Sequence, residues 1–253
     1  MRKAIIIAGL ILGLAVMAAP ASAFEAGVRG YYWMPGLSGD VTYSGEILTG
    51  TKLDLEDDLG MDSESYPMGE VFLGAGKHHL SLTYYKADYS GSTTLKENIT
   101  FGDETFTVGT DVDSSLEYTV MDFAYQYDLI NLENFLAGGS LGLVGKVKYF
   151  DITAAIESDL DKEEVDITAP VPMVGANLHI GLLADILELR VQATGLGYDG
   201  NTVIEFLGDI SYTPFPFIDI HGGYRSFTID LDIDDLEANL TTAGPYAALT
   251  ISF

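Results

Sequence analysis

The 253-residue chain contains no cysteine and only 12 Lys and Arg against 38 Asp and Glu. Without cysteine there is no disulfide, no lipid-acylated N-terminal thiol, no thiol nucleophile and no Cys-based metal site. The scarcity of positive charge rules out nucleic-acid binding, because nothing could neutralise a run of phosphates. Long apolar runs are also scarce. The one present, Ala4 to Ala19, is 16 residues long, short of the ~20 that a membrane-crossing helix needs. It follows Arg2 and Lys3, is broken by Pro20, and leads to Ala21-Ser22-Ala23. A positive start, an apolar middle and small residues at the end form a secretory signal, with cleavage expected after Ala23. An uncleaved helix is the alternative, and its length argues against it. Residues 1–23 are thus expected to be a signal peptide and residues 24–253 the mature domain. Losing the segment removes two basic residues and leaves ten against 38 acidic ones, a net charge of −28.

What the mature chain has is Gly (28 in all), Tyr (15) and Phe (12), a composition that suits strands better than helices. No helical period persists, and alternation of period two recurs throughout. Ten strands are expected, at about 24–33, 66–76, 78–89, 116–127, 139–156, 164–183, 186–198, 202–213, 216–229 and 238–253, with eight or twelve as the alternatives. The connections alternate in length. Gly76-Lys77, Ala184-Asp185 and Thr213–Pro216 are short. Met34–Ser65 and Ser90–Ser115 are long and acidic, and Glu157–Glu163, Asp199–Asn201 and Asp230–Glu237 lie on the same side. Asp128 to Gly138 is long for its side and leaves room for a helical turn. Within Ser90–Ser115, residues 97–108 predict a hairpin turning at Gly102-Asp103 that projects beyond the membrane.

The faces are well separated. Leu187, Leu189, Val191 and Ala193 oppose Glu188, Arg190, Gln192 and Thr194, while Ile218, Ile220 and Tyr224 oppose Asp219, His221 and Arg225. Thr119, Met121, Phe123, Tyr125 and Tyr127 oppose Tyr118, Asp122 and Gln126. A soluble β-sandwich gives the same local pattern. The secretory signal, the terminal aromatic and the aromatics near strand ends (Tyr31, Tyr32, Trp33, Tyr84, Tyr85, Tyr89, Tyr127, Tyr149, Tyr212, Phe215, Phe217) favour an all-β, antiparallel up-and-down transmembrane barrel with aromatic girdles. In lipid only a closed barrel satisfies every strand hydrogen bond.

On that reading the polar face lines the lumen. It comprises Glu25, Arg29, Glu70, His79, Asp122, Lys146, Lys148, Asn177, His179, Glu188, Arg190, Gln192, Glu205, Asp209, Asp219, His221 and Arg225. Two roles compete: an ionic core filling a narrow barrel, or a narrow polar channel for small solutes whose charges set selectivity. A wide diffusion pore belongs to barrels of ~16–18 strands. His79 and Ser81 share a strand face and are the only neighbourhood to weigh as a hydrolase. A lipid A deacylase family has Asn after its His-x-Ser pair where this chain has Leu82, and outer-membrane proteases place His at the outer rim, where no loop here carries one. No catalytic residue and no cofactor is therefore assigned. Asp54, Glu56, Asp57, Asp58, Asp62 and Glu64 crowd one acidic loop. In another, Asp230, Asp232 and Asp234 alternate and are candidates for a divalent cation, against the plainer reading of a solvated acidic rim.

Three stretches carry a resemblance: Ala21-Ser22-Ala23, Gly223-Tyr224-Arg225, and Gly244-Pro245 leading to Ala247, Leu249, Ile251 and Phe253 on one face of the last strand. With these, residues 24–253 resemble the small outer-membrane β-barrels of Gram-negative bacteria, the group that includes OmpW-like and OmpA-like barrel domains. The resemblance implies residence in the cell outer membrane, contact with its lipid and lipopolysaccharide, and recognition of the terminal strand by the barrel-insertion machinery. The chain is expected to be a monomer and not an enzyme. A soluble periplasmic β-protein that binds a ligand, or an outer-membrane hydrolase, is the alternative function.

Overall fold

The computed structural model describes residues 24–61, 63–131, 138–183, 186–233 and 235–253. The expected signal peptide, the turn at Ala184-Asp185, the middle of the Asp128–Gly138 connection, Asp62 and Asp234 lie outside these residues.

Ten antiparallel strands close into a barrel: β1 (Phe24–Trp33), β4 (Tyr66–Ala75), β5 (His78–Thr94), β8 (Asp111–Asn131), β9 (Gly139–Glu157), β10 (Lys162–Leu183), β11 (Leu187–Tyr198), β12 (Asn201–Phe215), β13 (Ile218–Ile233) and β14 (Leu236–Ser252). Each pairs with the next in this order, and β14 closes onto β1 from Gly27↔Ser252 to Trp33↔Tyr246. Every expected strand is present. β2 (Gly36–Tyr43) continues the line of β1 beyond Met34-Pro35 and pairs with the upper part of β14, and β3 (Leu53–Asp54) pairs with β2. Both fall within Met34–Ser65, where the sequence predicts a loop. Short turns at Gly76-Lys77 and Pro216-Phe217 share one end with both strand termini, where the Ala26 and Phe253 backbones exchange hydrogen bonds. Gly76 has φ 60°, a conformation that favours glycine.

Several strands are about twice as long as a membrane requires. β8, β9 and β10 have 21, 19 and 22 residues, whereas a transmembrane strand needs ~9–11. β9 and β10 are close to their expected lengths, whereas parts of β5, β8 and β13 are residues that the sequence predicts as outer loop. Ser90–Thr94 and Asp111–Ser115 belong to β5 and β8, and Asp230–Ile233 to β13, so these outer connections are shorter than the sequence suggests.

Register sorts the lower half of the barrel. Ile251, Val28, Val71, Leu82, Phe123 and Val147 form one continuous row across β14, β1, β4, β5, β8 and β9, each outward and 44–52 % exposed. The adjacent inward row reads Thr250, Arg29, Glu70, Thr83, Asp122 and Lys148. A slip of one residue would turn these charges into the lipid, so the alternation specifies the pairing strongly. Tyr84, Met121 and Tyr149 lie side by side at the upper edge of the apolar band, with Tyr32 and Tyr224 also outward, and Tyr212, Phe215 and Phe217 mark the turn end. Of the expected girdle, Tyr31, Trp33, Tyr85 and Tyr89 instead point inward and are buried. They occupy inward registers, and the strand passes through their level with its phase unbroken.

Above this level the polarity inverts without a change of phase. Tyr118↔Ile152↔Ile167 and Leu116↔Ala154↔Val165 face inward, while Thr119↔Asp151↔Thr168 and Glu117↔Thr153↔Asp166 face outward. An apolar interior with a polar exterior is the arrangement of a barrel in water. The chain therefore builds a transmembrane barrel below and a water-facing barrel on top, from the same strands.

The top is closed. Leu53, Leu55, Leu59 and Met61 are buried, and Asp54 Oδ1 accepts from the backbone N–H groups of Glu56 and Asp57, folding the acidic loop into a turn. The hairpin of β6 (Ile99–Phe101) and β7 (Glu104–Phe106) turns at Gly102-Asp103 as expected. It does not project freely: Ile99, Phe101 and Phe106 are buried, and Gly102 N–H donates to the Tyr43 carbonyl.

Candidate functional site

The lumen divides into a polar vestibule at the turn end, an ionic belt, an aromatic layer and an apolar chamber under the cap. The vestibule is a cavity of about 350 Å³ bordered by Glu25, Glu70, His79, His179, Glu188 and Gln192 among others. His179 Nε2 lies 3.1 Å from Glu188 Oε2, and His79 Nε2 lies 3.1 Å from Asp128 Oδ2. Deeper in, Arg29 Nη1 donates to Glu70 (3.2 Å) and its Nε to Thr250 (2.6 Å). Asp209 accepts from Arg190 (2.9 Å) and from the Tyr246 hydroxyl (2.8 Å), and His221 bonds Thr250 (2.8 Å). Gly223 makes this possible: a Cβ there would lie 2.5 Å from a ring carbon of Tyr246.

The belt is buried. Lys146 and Lys148 of β9 bridge Asp122 of β8 and Glu205 of β12, with Lys148 Nζ 2.8 Å from Asp122 and 3.2 Å from Glu205. Arg225 of β13 donates to Glu205 from Nε (2.8 Å) and Nη2. All five residues are 0–7 % exposed. Three cations face two carboxylates and each cation has a partner, whereas an unpaired buried ion would be strongly destabilising. Arg225 also spans the lumen: its Cζ stands 5.0 Å from the Trp33 ring and 5.3 Å from the Tyr85 ring, and Nη1 lies 3.4 Å from Met68 Sδ. It joins β13 to β1, β4 and β5 across the barrel. Above it, Trp33, Tyr66, Tyr85, Tyr89 and Tyr118 pack in stacked and edge-on pairs 5.5–6.5 Å apart.

The structure thus brings Arg29, Glu70, Asp122, Lys146, Lys148, His179, Glu188, Arg190, Glu205, Asp209, His221 and Arg225 into one connected interior. Asp219 stays apart, accepting from Thr213 (2.6 Å) beside the β12–β13 turn. Asp230 and Asp232 lie on the outward face of β13 rather than in a loop, and among the described residues no three His, Asp or Glu side chains converge as a metal site. The chamber above the belt, about 360 Å³ and almost wholly apolar, was missed. Its signal was the run Phe227-x-Ile229-x-Leu231-x-Ile233, alternating with Thr228, Asp230 and Asp232.

No family model matches the chain, and no curated protein matches it in sequence. Solved structures that align with it include Neisserial surface protein A (11 % identity, 91 % of this chain and 97 % of that one, TM-score 0.36) and the attachment invasion locus protein Ail of Yersinia pestis in complex with sucrose octasulfate (11 %, 89 % and 98 %, 0.34). The translocator domain of the autotransporter NalP from Neisseria meningitidis aligns at 11 % identity over 99 % of this chain and 98 % of that one, with TM-score 0.41. A closed ten-stranded antiparallel barrel with a lipid-facing apolar row, outward aromatics at both edges and both strand termini at the short-turn end is an outer-membrane β-barrel.

Proposed function

We propose that the protein is a non-enzymatic outer-membrane barrel that is sealed at rest, with a polar vestibule open toward the periplasm and a belt that blocks ion flow. The carrying observation is the cross-lumen link: Lys146 and Lys148 from one wall and Arg225 from another meet on Glu205, and Arg225 reaches the rings of Trp33 and Tyr85 beyond. Small barrels fill their interior with side chains, and each belt cation is engaged by a carboxylate. Among the described residues His79 hydrogen-bonds to Asp128 and makes no hydrogen bond to Ser81. On this reading the partners are lipid, lipopolysaccharide and the insertion machinery, and the barrel acts as a monomer.

The test is single-channel recording in planar bilayers. The wild-type barrel should be silent, and Arg190→Ala/Arg225→Ala should show discrete openings. Steady conductance of the wild type would overturn the reading, as would a double variant that folds and stays silent.

A further inference from the structure

We propose that the outer chamber is a binding site for one small, uncharged, apolar molecule that arrives from the aqueous side. Its volume of about 360 Å³ falls in the ~300–1,000 Å³ range of ligand pockets. Leu116, Ile152, Val203, Ile229 and Leu240 line it, with Thr242 among the few polar contributors. Water entering would find too few hydrogen-bond partners to be held, and an empty void would deprive the lining of dispersion contacts. Ala154, Ala169 and Ala238 occupy inward positions where larger side chains would fill the space, so the emptiness is written into the sequence.

Access is visible in the strand lengths. β11 and β12 form a hairpin whose tip stops below its neighbours: β10 pairs with β11 only from Val174 downward, and β13 runs past β12 from Leu231 to Ile233. The β10 edge from Lys162 to Met173 therefore lacks a partner on that side. Pro170 and Pro172 stand on it, residues that suit an open edge because they offer no N–H to a stray strand. Inward side chains beside this gap, Val165 and Leu231, are half-buried, whereas Val112 and Ile156 on the strands away from it are fully buried. The outer surface around the gap carries Lys162, Glu164, Asp166, Asp230 and Asp232. It stands in water, above the apolar band, and this favours a dissolved molecule over a lipid chain.

Trp33, the single tryptophan of the chain, borders the chamber and reports on it. The barrel, refolded into phosphatidylcholine nanodiscs, is titrated with N-phenyl-1-naphthylamine while energy transfer from Trp33 is read. The expected result is saturable transfer at one probe per barrel, weakened at least tenfold by Ala154→Phe/Ala238→Phe and unchanged by the lipid-facing Phe206→Ala. Heat-dependent gel mobility checks that each variant is folded. If the double variant does not fold, Leu240→Asn replaces it, with the same tenfold weakening expected. Transfer that grows with probe in the lipid and never saturates would overturn the proposal, as would saturable transfer that chamber substitutions leave unchanged.

Discussion

The lower and upper halves of this barrel use the same strands, the same pairing and the same alternation, yet their faces carry opposite chemistry. On β9, Val147 and Tyr149 face lipid and Lys146 and Lys148 face inward. A few residues on, Asp151 and Thr153 face outward and Ile152 and Ala154 inward. What changes between them is the solvent. Hydrocarbon outside allows charges only within, whereas water outside drives apolar side chains within. The belt and the aromatic layer sit at the changeover, where a paired ionic interior meets an apolar one and Arg225, bonded to Glu205 and packed against rings, serves both.

The largest effect is expected at the belt. Glu205→Ala would leave Lys146, Lys148 and Arg225 short of a partner and should cost about 3–5 kcal/mol, read as a lower midpoint in urea unfolding from vesicles. Next comes the lipid face, where Phe123→Lys should cost about 2–4 kcal/mol near the bilayer midplane. The matching substitution on the outward face of the upper half, Thr153→Lys, should stay within about 0.5 kcal/mol. Equal costs for these two would mean that the upper half is also in lipid. Between them, Ile152→Thr places a hydroxyl in the apolar chamber and should cost about 1–3 kcal/mol. The smallest effect on stability is expected at the open edge. Pro170→Val/Pro172→Val should unfold at nearly the wild-type midpoint but associate more readily when concentrated, which light scattering would show.

Much of this was legible in the sequence. All ten wall strands follow from period two, and the turn at Gly102-Asp103 from its residues. The inward set from Arg29 to Arg225 follows from placing the polar face inside, a rule that holds where lipid is outside. The same rule misleads above it. Phe227, Ile229, Leu231 and Ile233 alternate with Thr228, Asp230 and Asp232 as cleanly as any lower segment, and the acidic partners read as a loop because a membrane barrel has no other use for them. Trp33, Tyr85 and Tyr89 looked like girdle residues for the same reason.

By itself the sequence determined the strands, their phase and which residues travel together on a face, because side chains of an extended chain alternate whatever surrounds them. Which face is inside at a given height was decided only by the tertiary structure. Closure of β14 on β1 sets the register, and the register sets how far each strand runs past the apolar band. Two groupings likewise exist only in the closed barrel. Glu205 meets three cations from two other strands, and the short β11–β12 hairpin leaves a gap beside a chamber. These depend on distances across the lumen, which no spacing along the chain contains.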